Sequence, residues 1–474
     1  MSETASLPLP YYLCLIAAFA LMIQGWQMRM DGYGIPMIAV IGTVAAWYLY
    51  DPLYNDYGQY IKEVGENTLT TAWWEVLLFF ITLGIAVPVV NRQLNPDSIV
   101  ENSVVFQMIE NREVEERYFQ HQIERIGRLI LMCWVSLMVI AMMRTDCDYI
   151  GLFFPYLGEL ALPWNRDRLG SGFDFLISFF TYFQIMLTAL LGVIFALSLR
   201  PGTTIVSGIA YFFAIQIYLF DRTRNVMLAV LLPGFMALVA LRLKGGLITR
   251  LLVVIVGFTM LEGWFKLVIA NRDKMTIADA FQGKGASADE LKKTKHLGFN
   301  MFEELGYVNY LINNGTYKPN WGARYFAELV NPIPRTLWPG KPLIGIDYAI
   351  ARGMAYGGIG SASGGIAASI STGMIGQGVV NFGPIFGPIA AAILMAIWIA
   401  ILARQDIQAR QLGHLLLYAI GLVLTFNMGR DITLLVIYPF VFGWLLLYWI
   451  NKRYADLVIV EPDEEEDLKP KLLV

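Results

Sequence analysis

Long apolar runs separated by short polar turns dominate this chain. Runs recur at 10–27, 34–50, 72–91, 128–143, 173–199, 203–220, 225–241, 249–268, 381–403, 411–428 and 432–450. Most hold roughly twenty residues, about what a helix needs to cross ~30 Å of hydrocarbon. Strands of a membrane barrel would alternate polar and apolar with a period of two, and these runs do not. The pattern predicts an all-α polytopic integral membrane protein with about eleven transmembrane helices. Residues 150–162 are apolar but short, and are expected to form a half-span or an interfacial segment.

The polar positions divide the chain. Arg29, Arg92 with Arg112 to Arg128, Arg200, Arg242 with Lys244 and Arg250, Arg404 with Arg410, and Lys452 with Arg453 fall in turns that alternate onto one side. Basic residues in short loops mark the cytoplasmic face. The C-terminus is therefore expected inside and the N-terminus outside. Residues 1–268 form a first set of transmembrane helices. Within them 92–127 carries Glu and Arg around Val104, Val105, Met108, Ile109, Phe119, Ile123 and Ile126, and is expected to be one amphipathic helix at the inner interface. Residues 269–380 form one large, modestly basic extracytoplasmic loop, 381–451 the C-terminal transmembrane helices, and 452–474 a cytoplasmic tail that is acidic over Glu461 to Asp467.

Composition supports the membrane assignment. The chain is 57% hydrophobic and 15% charged, against about 25% charged in soluble domains. Cys14, Cys133 and Cys147 offer no disulfide framework, and His121, His296 and His414 are far apart. No metal site and no cofactor are expected. The first apolar run lacks a basic leader and is read as a retained helix. Nothing in the charge pattern calls for nucleic acid.

Arginines on the outer side need a reason, since basic residues are under-represented there. Arg222 and Arg224 lie in one tight outer turn, and Arg430, followed by Asp431, in another. They either pair with Asp221 and Asp431, or line a cationic pocket for an anionic, lipid-linked substrate. Arg272 follows the span before the loop. Asn331 to Pro342 holds four prolines, which exclude a regular helix and favour a stiff backbone around Arg335, Trp338 and Lys341. If the loop folds back, Arg222, Arg224, Arg272, Arg335 and Arg430 converge. Trp338 is either an interfacial belt residue or a sugar platform.

The Gly-rich segment 353–383 suits close helix packing or backbone near a ligand. Candidate general bases on this side are Asp221, His296, Glu303, Glu304, Asp347 and Asp431; Glu303 and Glu304 lead an amphipathic pattern from Phe302 to Ile312. Asp146-Cys147-Asp148 has an Asp-x-Asp spacing. It falls on the side away from cytosolic sugar nucleotides and is set aside.

Leu337-Trp338-Pro339-Gly340-Lys341-Pro342 resembles an element of the bacterial oligosaccharide repeat-unit polymerases, the Wzy-type family that builds O-antigens and exopolysaccharides. The small-residue run Ile366 to Gly383, Arg224-Asn225 opening a middle span and Arg430-Asp431 opening the last span are similar to that family in the same order. The likeness covers roughly residues 200–450. It implies a GT-C-like membrane glycosyltransferase, metal-independent, at the outer face of the inner membrane. Such an enzyme moves a glycan from one polyprenyl pyrophosphate to the non-reducing end of another lipid-linked repeat unit. Its partners would be that lipid-linked oligosaccharide, membrane lipid, and a chain-length regulator and flippase of the same pathway. On this resemblance Arg222, Arg335 and Arg430 act catalytically on the pyrophosphate, with Glu304 as the carboxylate. Arg224, Arg272, Lys341, Trp338 and Asp431 bind substrate. An O-antigen ligase and a lipid-linked oligosaccharide transporter are the alternatives; a ligase wants a loop histidine, for which only His296 is available.

Overall fold

The computed structural model describes residues 6–95, 103–111, 117–155, 160–164, 174–220, 224–270, 300–330, 333, 337–342, 345–353, 355–356, 365–366, 371–409, 411–432 and 434–453. The described residues are mostly helical, with two-residue antiparallel strands β1 (Ala355–Tyr356) and β2 (Gly365–Ile366). Among the described residues seven helices are long and apolar enough to cross a membrane: Leu9–Gln27, Gly34–Leu53, Glu66–Leu94, Phe119–Arg144, Phe180–Leu197, Pro201–Leu219 and Gly373–Ile407. Shorter apolar helices at Val226–Arg242, Ile248–Leu261, Gly413–Met428 and Phe440–Trp449 lie at the other four predicted positions. Large apolar side chains such as Phe19, Ile85, Met143, Leu251 and Phe386 face outward from these helices. That is the surface a lipid-embedded bundle presents.

In chain order the helices are α1 (Leu9–Gln27), α2 (Gly34–Val44), α3 (Asp51–Tyr54), α4 (Tyr57–Val64), α5 (Glu66–Leu94), α6 (Val104–Asn111), α7 (Arg117–Arg144), α8 (Tyr149–Phe153), α9 (Asp174–Leu197), α10 (Pro201–Phe220), α11 (Arg224–Ala237) and α12 (Leu247–Ala270). After the long loop come α13 (Met301–Asn313), α14 (Ala323–Val330), α15 (Ile346–Ala351), α16 (Gly373–Ile407), α17 (Leu412–Met428) and α18 (Leu434–Arg453). The core is built on α5 packed along α16, flanked by α1 and α2. A second group joins α7, α10, α11 and α18 around α9.

One end of the bundle gathers the basic turns. There Asn95 donates from Nδ2 to the Ala400 carbonyl at 2.7 Å, and buried Asp406 accepts from the Ser103 hydroxyl (2.7 Å) and the Val105 N–H (2.9 Å). The other end, called the loop end below, carries α13 to α15.

Three expectations change. Residues 92–127 are not one interfacial helix: α5 runs through Arg92 to Leu94, α6 is separate, and Arg117 opens a helix that continues unbroken into the span. Phe119, Ile123 and Ile126 share one buried stripe with Ile130, Trp134 and Leu137, so the bundle extends α7 rather than the lipid surface holding it. Among the described residues of 150–162 the helical part is the one-turn α8, capped by Asp148, whose carboxylate accepts the Gly151 N–H at 2.9 Å. That cap is also the structural use of the Asp-Cys-Asp triplet. The span expected from 381 begins instead at Gly373, because the last third of the Gly-rich segment is helical.

α16 is two helices in one. Gly383, at φ +80° and ψ 178°, breaks the helical path, and Pro384 follows it. The chain turns so sharply there that a Cβ at Gly378 would strike the Gly387 carbonyl. The half-helix 373–382 thus lies against the rest of α16, which only small residues permit. Its leading N–H groups are satisfied from outside: Met374 donates to the Gly429 carbonyl at 3.3 Å, and Ile375 to the Tyr48 hydroxyl at 3.0 Å.

α13 is pinned to the spans by polar contacts of unusual depth. The buried carboxylate of Asp51 accepts the N–H groups of Phe302 (2.9 Å) and Glu303 (3.0 Å) at its start. Phe302 stacks on Trp73 with ring centroids 3.7 Å apart, and Asn309 donates to Glu75 inside α5 at 2.7 Å.

Candidate functional site

Two pieces of backbone meet at the loop end. The first is the turn after α17. Arg430 and Asp431 both donate their N–H to the Asn427 carbonyl, at 3.1 and 3.4 Å. Gln377 of the half-helix grips the next residue from both sides, accepting the Ile432 N–H at 3.0 Å and donating to its carbonyl at 3.3 Å. Gly429 lies so close to Trp47 and Thr43 that a Cβ there would clash with both. A short, fully bonded turn therefore fixes where Arg430 and Asp431 project.

The second piece is α14. Asn381, at the end of the half-helix, accepts the Trp321 N–H through its carbonyl (2.7 Å) and the Tyr325 N–H through its side chain (3.3 Å). This docks α14 with Arg324, Ala327, Glu328 and Val330 on its buried face. Arg324 is only 4% exposed and reaches Asp431, Nη2 to Oδ2, at 3.2 Å. Its guanidinium also lies beside Gly345, whose φ of +62° is the left-handed conformation that glycine adopts readily.

The surroundings of this ion pair are under-satisfied. Among the described residues, Arg324 Nε and Nη1, the Tyr325 hydroxyl, the Thr372 hydroxyl, Asp431 Oδ1 and the Tyr438 hydroxyl are buried and make no hydrogen bond. Glu328 lies one turn beyond Arg324 and is 7% exposed, outside this set of unpaired atoms. Each such group costs about 1–3 kcal/mol when left unpaired. Buried polar groups are ordinarily paired, so this concentration calls for an explanation.

The electrostatics are those of a buried cationic centre. Burial pushes the Asp431 carboxyl up, opposed by the Arg324 and Arg430 guanidiniums and by the Thr372 N–H. Burial also raises Glu328, to about 8, helped by the charge of Asp431 and opposed by Arg324. With Glu328 mostly protonated near pH 7, two guanidiniums face one carboxylate, and the site favours an anion. Arg430 itself is half-buried and donates from Nε to the Ser371 hydroxyl at 3.0 Å.

A second cluster sits beside it. Glu304 of α13 is buried, accepts from the Tyr348 hydroxyl, and pairs with Arg352 Nε at 3.4 Å. The Arg352 guanidinium lies 3.3 Å over the centre of the Tyr307 ring. Burial raises Glu304, and Arg352 and Tyr348 oppose the rise. Both contacts fall on Oε1 of this carboxylate and join α13 to α15.

Of the residues singled out from the sequence, Arg430 and Asp431 are brought together with a deeply buried partner. Glu304 belongs to the neighbouring cluster. Lys341 is buried and donates from Nζ to the Ile333 carbonyl at 2.9 Å, closing the proline-rich turn on itself. Trp338 is half-buried and meets Phe326 of α14 edge-on, with centroids 6.3 Å apart. Arg224 supplies the first residue of α11. Asp347 accepts from Tyr317 and Asn320, at 2.8 and 3.1 Å. Arg222, Arg272 and Arg335, with Asp221 and His296, lie outside the described residues.

Arg324, Glu328 and Arg352 were missed. Arg324 and Glu328 are spaced i,i+4, which ordinarily marks an exposed helical ion pair. The available signal was the apolar face they share with Ala327, which makes their side the buried one.

No protein-family model, curated protein or solved structure matches this chain. The assignment of a role rests on the site.

Proposed function

We propose that this protein is a membrane glycosyltransferase that polymerises lipid-linked oligosaccharide repeat units. In this reading all eleven apolar segments span a bacterial inner membrane in a GT-C-like arrangement. The loop end faces outward and the acidic C-terminal tail lies in the cytoplasm. The supporting observation is the concentration of unpartnered buried donors around Arg324, with Arg430 beside it, at one end of a membrane bundle.

The chemistry follows from that charge. When a sugar leaves a polyprenyl pyrophosphate, negative charge grows on the leaving phosphate while the anomeric carbon gains oxocarbenium character. Arginines already fixed in place stabilise that charge without reorganising. Arg324 is held by Asp431, and its Nε and Nη1 still have N–H groups to give. Arg430, half-exposed, is the one an entering pyrophosphate meets. Arg222, Arg224, Arg272 and Arg335 join them in this proposal. A flank of lipid-facing helices lets the polyprenyl chain remain in the bilayer while its head group enters the site.

The test is the glycan profile of a deletion strain complemented with wild type or Arg430→Ala. Single repeat units in the deletion strain, and a polymer ladder restored only by wild type, support the reading. Full-length polymer from membrane-inserted Arg430→Ala sinks the role of that residue. The broken helix at Gly383 favours a second reading, since transporters bind substrate at discontinuous helices. In that case lipid-linked units accumulate on the cytoplasmic side of the deletion strain.

A further inference from the structure

Glu328 stands apart from the other buried carboxylates at the loop end. Asp51 holds the start of α13, Glu75 binds Asn309, Glu304 is engaged by Tyr348 and Arg352, and Asp431 is paired to Arg324. Among the described residues Glu328 alone of this group makes no hydrogen bond, and at 7% exposed it matches Asp431 in burial. It follows Arg324 by one helical turn, on the same face of α14, so both side chains enter one space. The charged and titratable groups that influence it are Arg324 of its own helix, Asp431 of the turn after α17, and Tyr438 of α18. Among the described residues no group hydrogen-bonds to Glu328, and its carboxylate lies within electrostatic reach of Arg324.

Resting on the polymerase reading above, we propose that Glu328 is the general base that deprotonates the acceptor sugar hydroxyl. The proton passes from the hydroxyl to a Glu328 carboxylate oxygen. The acceptor oxygen bonds to the anomeric carbon of the donor, and the bond from that carbon to the pyrophosphate oxygen breaks. The electron pair leaves on the pyrophosphate, opposite Arg324 and Arg430. No other reactant is needed. The proton is later lost to solvent.

Two features of the surroundings fit this role. Asp431 is the weaker base, because the guanidiniums of Arg324 and Arg430 favour its ionised form. Burial holds Glu328 near 8, close to working pH, where a base combines adequate strength with an adequate ionised fraction. The anion and the base are thus separated by one turn of a single rigid helix.

The experiment uses the full-length protein in nanodiscs, with lipid-linked oligosaccharide extracted from the deletion strain as substrate. Wild-type turnover should rise about tenfold per pH unit and level off near pH 8. Glu328→Gln should lose turnover by at least 10²-fold, while binding geranyl pyrophosphate within about threefold of wild type. Glu328→Asp should retain measurable turnover with a shifted pH profile, which a purely structural residue would not give. Glu328→Gln that is folded, binds geranyl pyrophosphate and polymerises at the wild-type rate overturns the assignment. So does a Glu328→Asp profile identical to wild type. If Glu328→Gln is active while Arg430→Ala is dead, the base is wrong and the polymerase reading survives. If wild type itself makes no polymer from this substrate, the polymerase reading falls, and the base with it.

Discussion

Removing one carboxylate should release the helix that organises the loop end. Asp51 is fully buried at the start of α3 and accepts four hydrogen bonds: from Phe302 N–H, Glu303 N–H, the Tyr60 hydroxyl and Asn55 Nδ2, the last two at 2.8 Å. The first two are leading amides of α13, which have no partner inside their own helix. In Asp51→Ala those two amides are left dry. At about 1–3 kcal/mol each, the loss is about 2–6 kcal/mol, before counting the attraction of the carboxylate for the helix N-terminus. Asp51→Asn should be nearly as costly, since an amide brings N–H groups to a point where four donors already converge. A midpoint of about 4 kcal/mol corresponds to a roughly 10³-fold increase in local opening. Hydrogen–deuterium exchange on peptides covering 301–313, in nanodiscs, reads this directly. Exchange there should accelerate by about three orders of magnitude, while peptides from α9 and α10 keep their wild-type rates. Unchanged protection of 301–313 in Asp51→Ala would refute the claim that this carboxylate holds α13 in place.

Other outcomes follow from the same contacts. Arg324→Ala and Asp431→Ala should each destabilise by about 3–5 kcal/mol, because each strands a buried charge. The double variant should cost clearly less than their sum; additive losses in thermal unfolding would show that the two are not coupled. Glu328 has a folded-state value near 8 against an ordinary 4.5, so the folded protein holds its proton while the unfolded chain releases it. Wild-type stability should therefore fall, relative to Glu328→Gln, as pH rises from about 5 to about 8, by an amount on the order of a few kcal/mol. Parallel pH profiles of the two proteins would contradict that environment. Gly383→Ala should lower the melting temperature, since φ +80° with ψ 178° is a region essentially reserved for glycine and costs about 1–3 kcal/mol otherwise. An unaffected variant would mean that the break is not imposed at this residue.

The apolar runs alone determined that this is a helical membrane protein, and where its helices lie. Length and lack of charge decide membrane crossing locally, residue by residue, without reference to partners. Arg430 and Asp431 at the end of an apolar run were also legible, because a costly charge in an apolar frame stands out in one dimension. The sequence did not reveal the partner of Asp431. Arg324 looks like half of a surface pair with Glu328 until Asn381 docks α14 with that face inward. Nor could it distinguish Glu304 from Glu328. Both are carboxylates on amphipathic helices, and only packing decides that one meets Tyr348 and Arg352 while the other meets no hydrogen-bonding side chain. The break in α16 was hidden for the same reason: glycine and proline permit a turn at 383–384, but the contact of Gly378 with Gly387 makes it. Hydrophobic burial is written along the chain, whereas the pairing of charges depends on where separate segments come to rest, and only the tertiary structure sets that.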